Sequence, residues 1–409
     1  MANIIFNCNT CNDNSPIQLV ANDELVPLYY GIQSQKIIGL NNDGSFNDSF
    51  IYENGFNNPV WVTVSQNDGK ILVGGEFTTY NLTTSNSIVR LNSDGSIDNT
   101  FVIGSGFNGT VLAIAIQSDG KILIGGQFNN YNGVGANRII RLNSDGSVDN
   151  TFAYGSGFND IVYTITIQND GKILVGGYFL SYNGTGANRI IRLNPDGSID
   201  NTFVYGSGFT LMLNPATVFI ITIQLDGKIL VGGQFSNYNG TNVNNIIRLN
   251  QNGSVDNTFI IGLGFDNYVT TIAIQSDGKI LVGGSFTNYD VTSAYSIIRL
   301  NADGSVDNTF VYGSGFNSSV NVIVIQSDGK ILIGGYFITY NNMVSPYIIR
   351  LNTDGTIDES LDTKNGLDNV VRSLTIKNDQ SLIIGGQFSS YNSRQIRNFI
   401  RLNTNGLYD

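Results

Sequence analysis

The chain contains no histidine, only six prolines and only two cysteines in 409 residues. Without histidine there is no Ser-His-Asp or Cys-His machinery, no imidazole metal ligand and no imidazole pH switch. Two cysteines cannot build a disulfide framework. Positive charge is scarce as well: 21 Lys and Arg stand against 32 Asp and Glu, a formal net charge of −11. A nucleic-acid binder needs a basic footprint, which this composition does not offer. No apolar stretch is long enough to cross a membrane as a helix. The start, MANIIFNCNTCND, lacks a basic head and has an apolar run only from Ile4 to Phe6, unlike a secretory leader. What is present is core-forming material, 41% hydrophobic and 13% charged, with 48 glycines. The length alone suggests two to four ordinary domains of roughly 100–200 residues.

The glycines are periodic. The string DGKILVGG recurs with its lysine at Lys70, Lys121, Lys172, Lys228, Lys279 and Lys330, and a degraded copy, NDQSLIIGG, has Ser381 at that place. The steps are 51, 51, 56, 51, 51 and 51 residues, the long step holding a five-residue insertion between Phe209 and Phe219. A second string, RLNxDGSxDNTF, follows each copy, with its leucine at Leu40, Leu91, Leu142, Leu193, Leu249, Leu300, Leu351 and Leu402. Such a period must be read before anything else, because it sets the architecture.

Inside one unit the alternation has a period of two. From Val111 to Phe152, VLAIAIQ ends at Asp119-Gly120, KILIGGQF follows, then the polar loop NNYNGVGAN, then RIIRLN ending at Asp145-Gly146, then SVDNTF. Asp-Gly between apolar runs is a hairpin signal. No helix caps or helical spacing occur. Each unit therefore reads as four short antiparallel strands, the pattern of a β-propeller blade. The pair Gly125-Gly126 lies inside a strand, where glycine implies close approach of another chain segment. A phosphate-binding loop is disfavoured, since no GK[ST] and no helix follow.

The repeated unit VxAIAIQSDGKILVGGxF…RIIRLNxDGSxDNTF resembles the delta-60 repeat, a β-propeller domain of unknown function, over about residues 36–408. The resemblance implies an all-β, single β-propeller of four-stranded antiparallel blades. It implies no chemistry, because the family is found in bacterial surface and phage-associated proteins without an assigned activity.

Eight blades of 51 residues would nearly fill the chain, and the length favours that number. The last unit stops after its third strand, so an N-terminal strand, with Ala2 to Cys8 as candidate, would close the ring. Residues 17–31 would be decayed first strands around Asn22-Asp23, and residues 36–50 would complete that blade. The alternative is seven blades, with SFNDSF closing the last one and the N-terminal segment forming an attachment arm. Residues 1–35 are thus set apart from a propeller over 36–409.

Connectivity puts the Asp-Gly turns on one face and the GSGFN and FxxYNG loops on the other. The second face carries Tyr80, Tyr131, Tyr182, Tyr238, Tyr289, Tyr340 and Tyr391, candidates for a glycan or protein contact surface. The competing and favoured reading is packing, each Tyr over a Phe such as Phe107 or Phe158 of the neighbouring blade. The string Asn92, Asp94, Ser96, Asp98 resembles an oxygen-rich calcium loop but lacks the distal glutamate, so ordinary turn chemistry is favoured and no cofactor is expected. Cys8 and Cys11 cannot complete a tetrahedral zinc site alone. Arg90, Arg141, Arg192, Arg248, Arg299, Arg350 and Arg401 sit mid-strand and should pair with outer-strand carboxylates such as Asp98 or Asp149.

Three functions follow as expectations. The first is a non-enzymatic scaffold joined to other proteins of a larger assembly such as a phage virion or tail, in a virion or extracellular particle, with a cytoplasmic location and homo-oligomerisation as alternatives. Its assembly contacts would be Cys8, Cys11, Leu211, Met212 and Leu213, where the repeat breaks. The second is a lectin using the tyrosine face. The third is a polysaccharide-degrading enzyme, which needs two placed carboxylates. Among only four glutamates, Glu76 departs from the repeat at a position where other copies have Gln, Tyr or Ser. Trp61, the lone tryptophan, is another break in the symmetry.

Overall fold

The computed structural model describes residues 19–21, 24–26, 54–212, 215–361, 366–404 and 406. Contacts divide the chain into residues 1–47 and 48–409. In the first unit, Leu19–Ala21 pairs antiparallel with Glu24–Val26, Ala21 opposite Glu24. The other strands expected at the N-terminus, and the first-blade strands expected over 36–50, lie outside the described residues.

The second unit is all-β. Its described residues hold seven three-stranded antiparallel sheets of one design. In the second repeat the strands are Thr110–Ile116, Ile122–Gln127 and Ile139–Leu142, with the middle strand between the others. The first two strands are joined by a turn in which Gly120 N–H donates to Gln117 O and Gly120 has φ +82°. That conformation is open to glycine and strained for other residues, and it makes Asp-Gly the hairpin signal it is. The Asp119 carboxylate accepts the Lys121 N–H at 3.1 Å and sets the turn.

Every residue of the middle strand from Ile122 to Gly126 is buried, since sheets cover both of its faces. Gly125 is the contact point. A Cβ there would lie 2.5 Å from Val162 Cγ1 of the next repeat and 3.0 Å from Ile165 Cδ1. The glycine pairs are packing positions, as expected. Each core cluster is accordingly shared by two repeats. Leu72 and Ile88 of the first repeat pack among Val111, Ile114 and Ile122 of the second. The seventh repeat stands in the same relation to the first: Gly385 abuts Val60, and Ile383 and Phe399 pack with Phe56, Val60 and Ile71.

Two local expectations need correction. SVDNTF is not a full fourth strand. It makes a single bridge, Leu142 with Val148, and then turns. The Asp149 carboxylate accepts both the N–H and the hydroxyl of Thr151, at 3.0 and 2.7 Å, which curls the chain out of the ladder. Conversely, the polar loop is a small hairpin, Asn130–Tyr131 paired with Val134–Gly135. Asn132 and Gly133 both have positive φ, +47° and +82°, the two-residue hairpin turn that Asn-Gly favours. The insertion is absorbed at this level: Phe209–Thr210 adds a third strand to the small hairpin of the fourth repeat.

Candidate functional site

The seven tyrosines are not a surface. All are buried, at 2% exposure or less. Tyr131 packs on Phe107 with ring centroids 4.5 Å apart, and its hydroxyl donates to Gly146 O at 2.8 Å. Burial pushes the phenol up from its ordinary pKa, with Asp145 adding to the effect. Tyr80, Tyr182, Tyr238, Tyr289, Tyr340 and Tyr391 donate to the equivalent glycine carbonyls. The ring offered as a candidate ligand surface is therefore a set of core pins between the small hairpins and the Asp-Gly turns. The partner phenylalanine leads into the tyrosine's own sheet and is not lent by a neighbouring blade: Phe107 bridges to Tyr131, while its N–H donates to Asn86 O of the preceding repeat.

The arginines clasp the sheets together. Arg141 Nε donates to Asp149 Oδ2 at 2.6 Å, Lys121 Nζ reaches the same oxygen at 3.0 Å, and the guanidinium lies 4.7 Å from the Phe152 ring centroid. Arg141 Nη1 also donates to Pro195 O of the next repeat. Burial alone would raise the Asp149 pKa. The bonds from Thr151, Lys121 and Arg141 outweigh it and hold the carboxyl well below the usual range. Six repeats carry the arginine–aspartate pair, and five of them the phenylalanine beneath the guanidinium, Leu361 taking its place in the sixth. In the seventh, Arg401 bonds Asp379 at 3.2 Å and Ser381 Oγ at 3.1 Å, and its Nη1 donates to Ser93 O of the first repeat at 3.0 Å.

The carboxylates of the candidate calcium loop are likewise committed. Asp94 Oδ1 accepts the N–H and hydroxyl of Ser96, and Asp98 serves the clasp. No group of three or more acidic or cysteine side chains among the described residues is placed to hold a metal. Of the expected assembly residues, Leu211 is half-buried against the core of the fourth repeat and Met212 is 92% exposed. Leu213, Cys8 and Cys11 lie outside the described residues. Glu76 is exposed at the end of a middle strand, where its own N–H donates to Pro59 O.

A different row of residues stands out. The first strand of every sheet is bulged at its second residue in the repeat frame: the register skips between Val60 and Val62, Val111 and Ala113, Val162 and Thr164, Val218 and Ile220, Val269 and Thr271, Val320 and Val322, and Val371 and Ser373. The residue before each bulge is always valine. The bulged residues are Trp61, Leu112, Tyr163, Phe219, Thr270, Asn321 and Arg372, seven different side chains on one backbone geometry. All are half-buried. A bulge re-aims its side chain out of the ladder, and bulges favour rims and sites. The first strands of successive sheets lie side by side, and two pairs of these residues meet, Tyr163 with Phe219 and Arg372 with Trp61. Tyr163, Phe219 and Tyr268 form an edge-to-face chain with centroid separations of 5.3 and 5.9 Å. The Arg372 guanidinium lies 3.8 Å from the Trp61 ring centroid and donates to Tyr336 Oη at 2.8 Å. Burial, with Asp160 and Tyr178 beside it, pushes the Tyr163 phenol up.

A model described as a β-propeller domain of unknown function matches residues 66–101, 117–152, 168–203, 224–259, 275–310, 326–361 and 377–409. The chain belongs to this β-propeller family. No curated protein matches it. Among solved structures, the propeller is similar to the WD40 β-propeller domain of Doa1, at 16% identity and TM-score 0.53 over 88% of this chain and 98% of that one. It is also similar to a catalytically inactive virginiamycin B lyase from Staphylococcus aureus with quinupristin, at 17% identity and TM-score 0.50 over 82% and 94%. Both likenesses concern the fold. The bulge row was open to sequence reading, since Trp61 already stood out as a break in symmetry. Aligning the seven repeats at that position displays the other six, but only the register shift shows that they are re-aimed.

Proposed function

We propose that this protein is a non-enzymatic interaction module, a closed ring of seven blades that engages its partner at the rim formed by the bulge row. The contacts of the seventh repeat with the first, through Gly385 with Val60 and Arg401 with Ser93, support closure at seven. In such a ring the bulge row encircles one mouth of the central channel, on the hairpin face. The observation that carries the reading is the contrast between seven identical valines and seven different neighbours. Structure demands the first and does not demand the second.

The opposite face is more regular, with Asp-Gly turns whose side chains bond their own backbone in six repeats and Asp379-Gln380 in the seventh. A partner that must recognise one orientation of a near-symmetric disk needs asymmetric features, which the bulge row offers. Glu76 lends little to an enzymatic reading, because glycoside hydrolysis asks for a second carboxylate at a set separation. Joining a larger assembly through residues 1–35 remains part of the proposal.

The test is a peptide and glycan array probed with wild type, with Tyr163→Ser/Tyr268→Ser, and with Leu225→Asp on an Asp-Gly turn. Ligands bound by wild type should be lost in the first variant and kept in the second. The reverse pattern, or a blank array, refutes the assignment.

A further inference from the structure

Arg372 is chemically unlike the clasp arginines. Each of those faces a carboxylate at 2.5–2.7 Å. Arg372 makes no ion pair among the described residues. It is held by π systems instead, over Trp61 at 3.8 Å and beside Tyr336 at 5.5 Å, with the single bond from Nη2 to the Tyr336 hydroxyl. Its Nε is buried without an acceptor among the described residues, and so is Trp61 Nε1 next to it. Stacking on aromatic faces and the sealed Nε leave the Nη1–Nη2 end of the guanidinium, where Nη1 makes no bond among the described residues, and that end can match a carboxylate in two parallel hydrogen bonds. The stacking also fixes the side chain before any ligand arrives, which lowers the ordering cost of binding.

The surroundings narrow the ligand. Tyr336 is 44% exposed. The adjoining bulge position is the neutral Asn321, with Thr270 one sheet further on; their side chains donate to Val371 O and Val320 O and keep acceptor oxygens. Gln387, also neutral and exposed, follows the middle strand of the Arg372 repeat. One cation edge, aromatic surface and neutral hydrogen-bonding groups together suit a ring that carries a carboxylate, hydroxyls and C–H faces.

We propose that Arg372, Trp61 and Tyr336 form a site for an acidic carbohydrate, a sugar bearing a carboxylate. This rests on the reading of the bulge row as the binding surface and names its ligand class.

The experiment is calorimetric titration of the full chain with trigalacturonic acid and 3′-sialyllactose, against maltotriose and lactose as neutral counterparts and hexaglutamate as an acidic peptide. At least one acidic sugar should bind at least tenfold tighter than its neutral counterpart. Arg372→Gln should weaken that binding about 10- to 100-fold, the range for losing charge-assisted hydrogen bonds. Arg372→Lys, which keeps the charge and loses the fork, should weaken it by about tenfold, and both variants should keep the wild-type unfolding midpoint within a few degrees. Equal binding of neutral and acidic sugars that Tyr163→Ser/Tyr268→Ser abolishes would overturn the carboxylate site and leave the bulge row as the binding surface. Sugar binding indifferent to Arg372 and to the tyrosine pair would overturn both. Hexaglutamate binding with the same Arg372 dependence while both acidic sugars fail would overturn the sugar class, and failure of every probe would overturn the proposal.

Discussion

Substituting Gly125 by alanine tests how the blades are joined. The added methyl would sit 2.5 Å from Val162 Cγ1, where ordinary carbon contact is close to 4 Å, with Ile165 Cδ1 3.0 Å away. Both neighbours belong to the next sheet and are buried, so relief requires the two sheets to part or Val162 to leave its rotamer. Overpacking of this kind costs about 1–3 kcal/mol. Alanine recovers roughly 0.5–1 kcal/mol through lower chain entropy in the unfolded state. The net expectation is a loss of about 1–2 kcal/mol in guanidinium unfolding. Val162→Ala alone removes two buried carbons and costs about 1.6 kcal/mol plus a cavity term. In the double variant the new methyl occupies part of the space that Val162 vacates. The double-mutant cycle should then show a favourable coupling of about 1 kcal/mol or more. Gly135→Ala is the control, because its Cβ would meet nothing within 4 Å. Additivity within about 0.5 kcal/mol, or equal behaviour of Gly125→Ala and Gly135→Ala, would refute the inter-blade wedge.

The other expectations concern the clasp and the pins. Asp149→Asn leaves Arg141 and Lys121 facing a neutral group in a buried setting and should cost about 3–5 kcal/mol, read by the same unfolding assay. Six aspartates, Asp98, Asp149, Asp200, Asp256, Asp307 and Asp358, have pKa values held below the ordinary carboxylate value. Their stabilisation is complete above the unfolded pKa of about 4 and is lost as pH falls towards the folded values, so the melting temperature should be flat from neutral pH to about pH 5 and drop steeply below pH 4. A melting temperature unchanged at pH 3 would contradict the clasp. Tyr131→Phe removes one buried hydrogen bond to Gly146 O and should cost about 1–2 kcal/mol, with no effect on any ligand bound at the hairpin face. Loss of binding without loss of stability would restore the tyrosine ring as a contact surface.

The features legible from the chain were those decided within a few residues or by strict repetition. Asp119-Gly120 specifies a turn because the φ of +82° is a local requirement. Gly125 announces a close approach because glycine in a strand is otherwise costly. Arg141 eight residues before Asp149 announces its own partner, since a short turn brings them together. The Asn132-Gly133 hairpin was equally local and was open to the same reasoning. SVDNTF misled because its alternation is that of a strand, while the Asp149 cap on Thr151 competes locally and ends the ladder after one bridge.

The sequence by itself determined the all-β class, the 51-residue unit and the turn chemistry, because these depend on neighbours in the chain. Only the tertiary structure decided which aromatic residues are core and which are surface. Tyr131 and Tyr336 are the same residue type in polar surroundings, yet one is sealed against Phe107 and the other stands 44% exposed. Burial is set by which segment of another turn of the chain lands on a side chain, and the bulge that turns Arg372 onto Trp61 depends on pairing between strands. Residues 61 and 372 lie far apart in sequence and meet because the seventh sheet packs on the first.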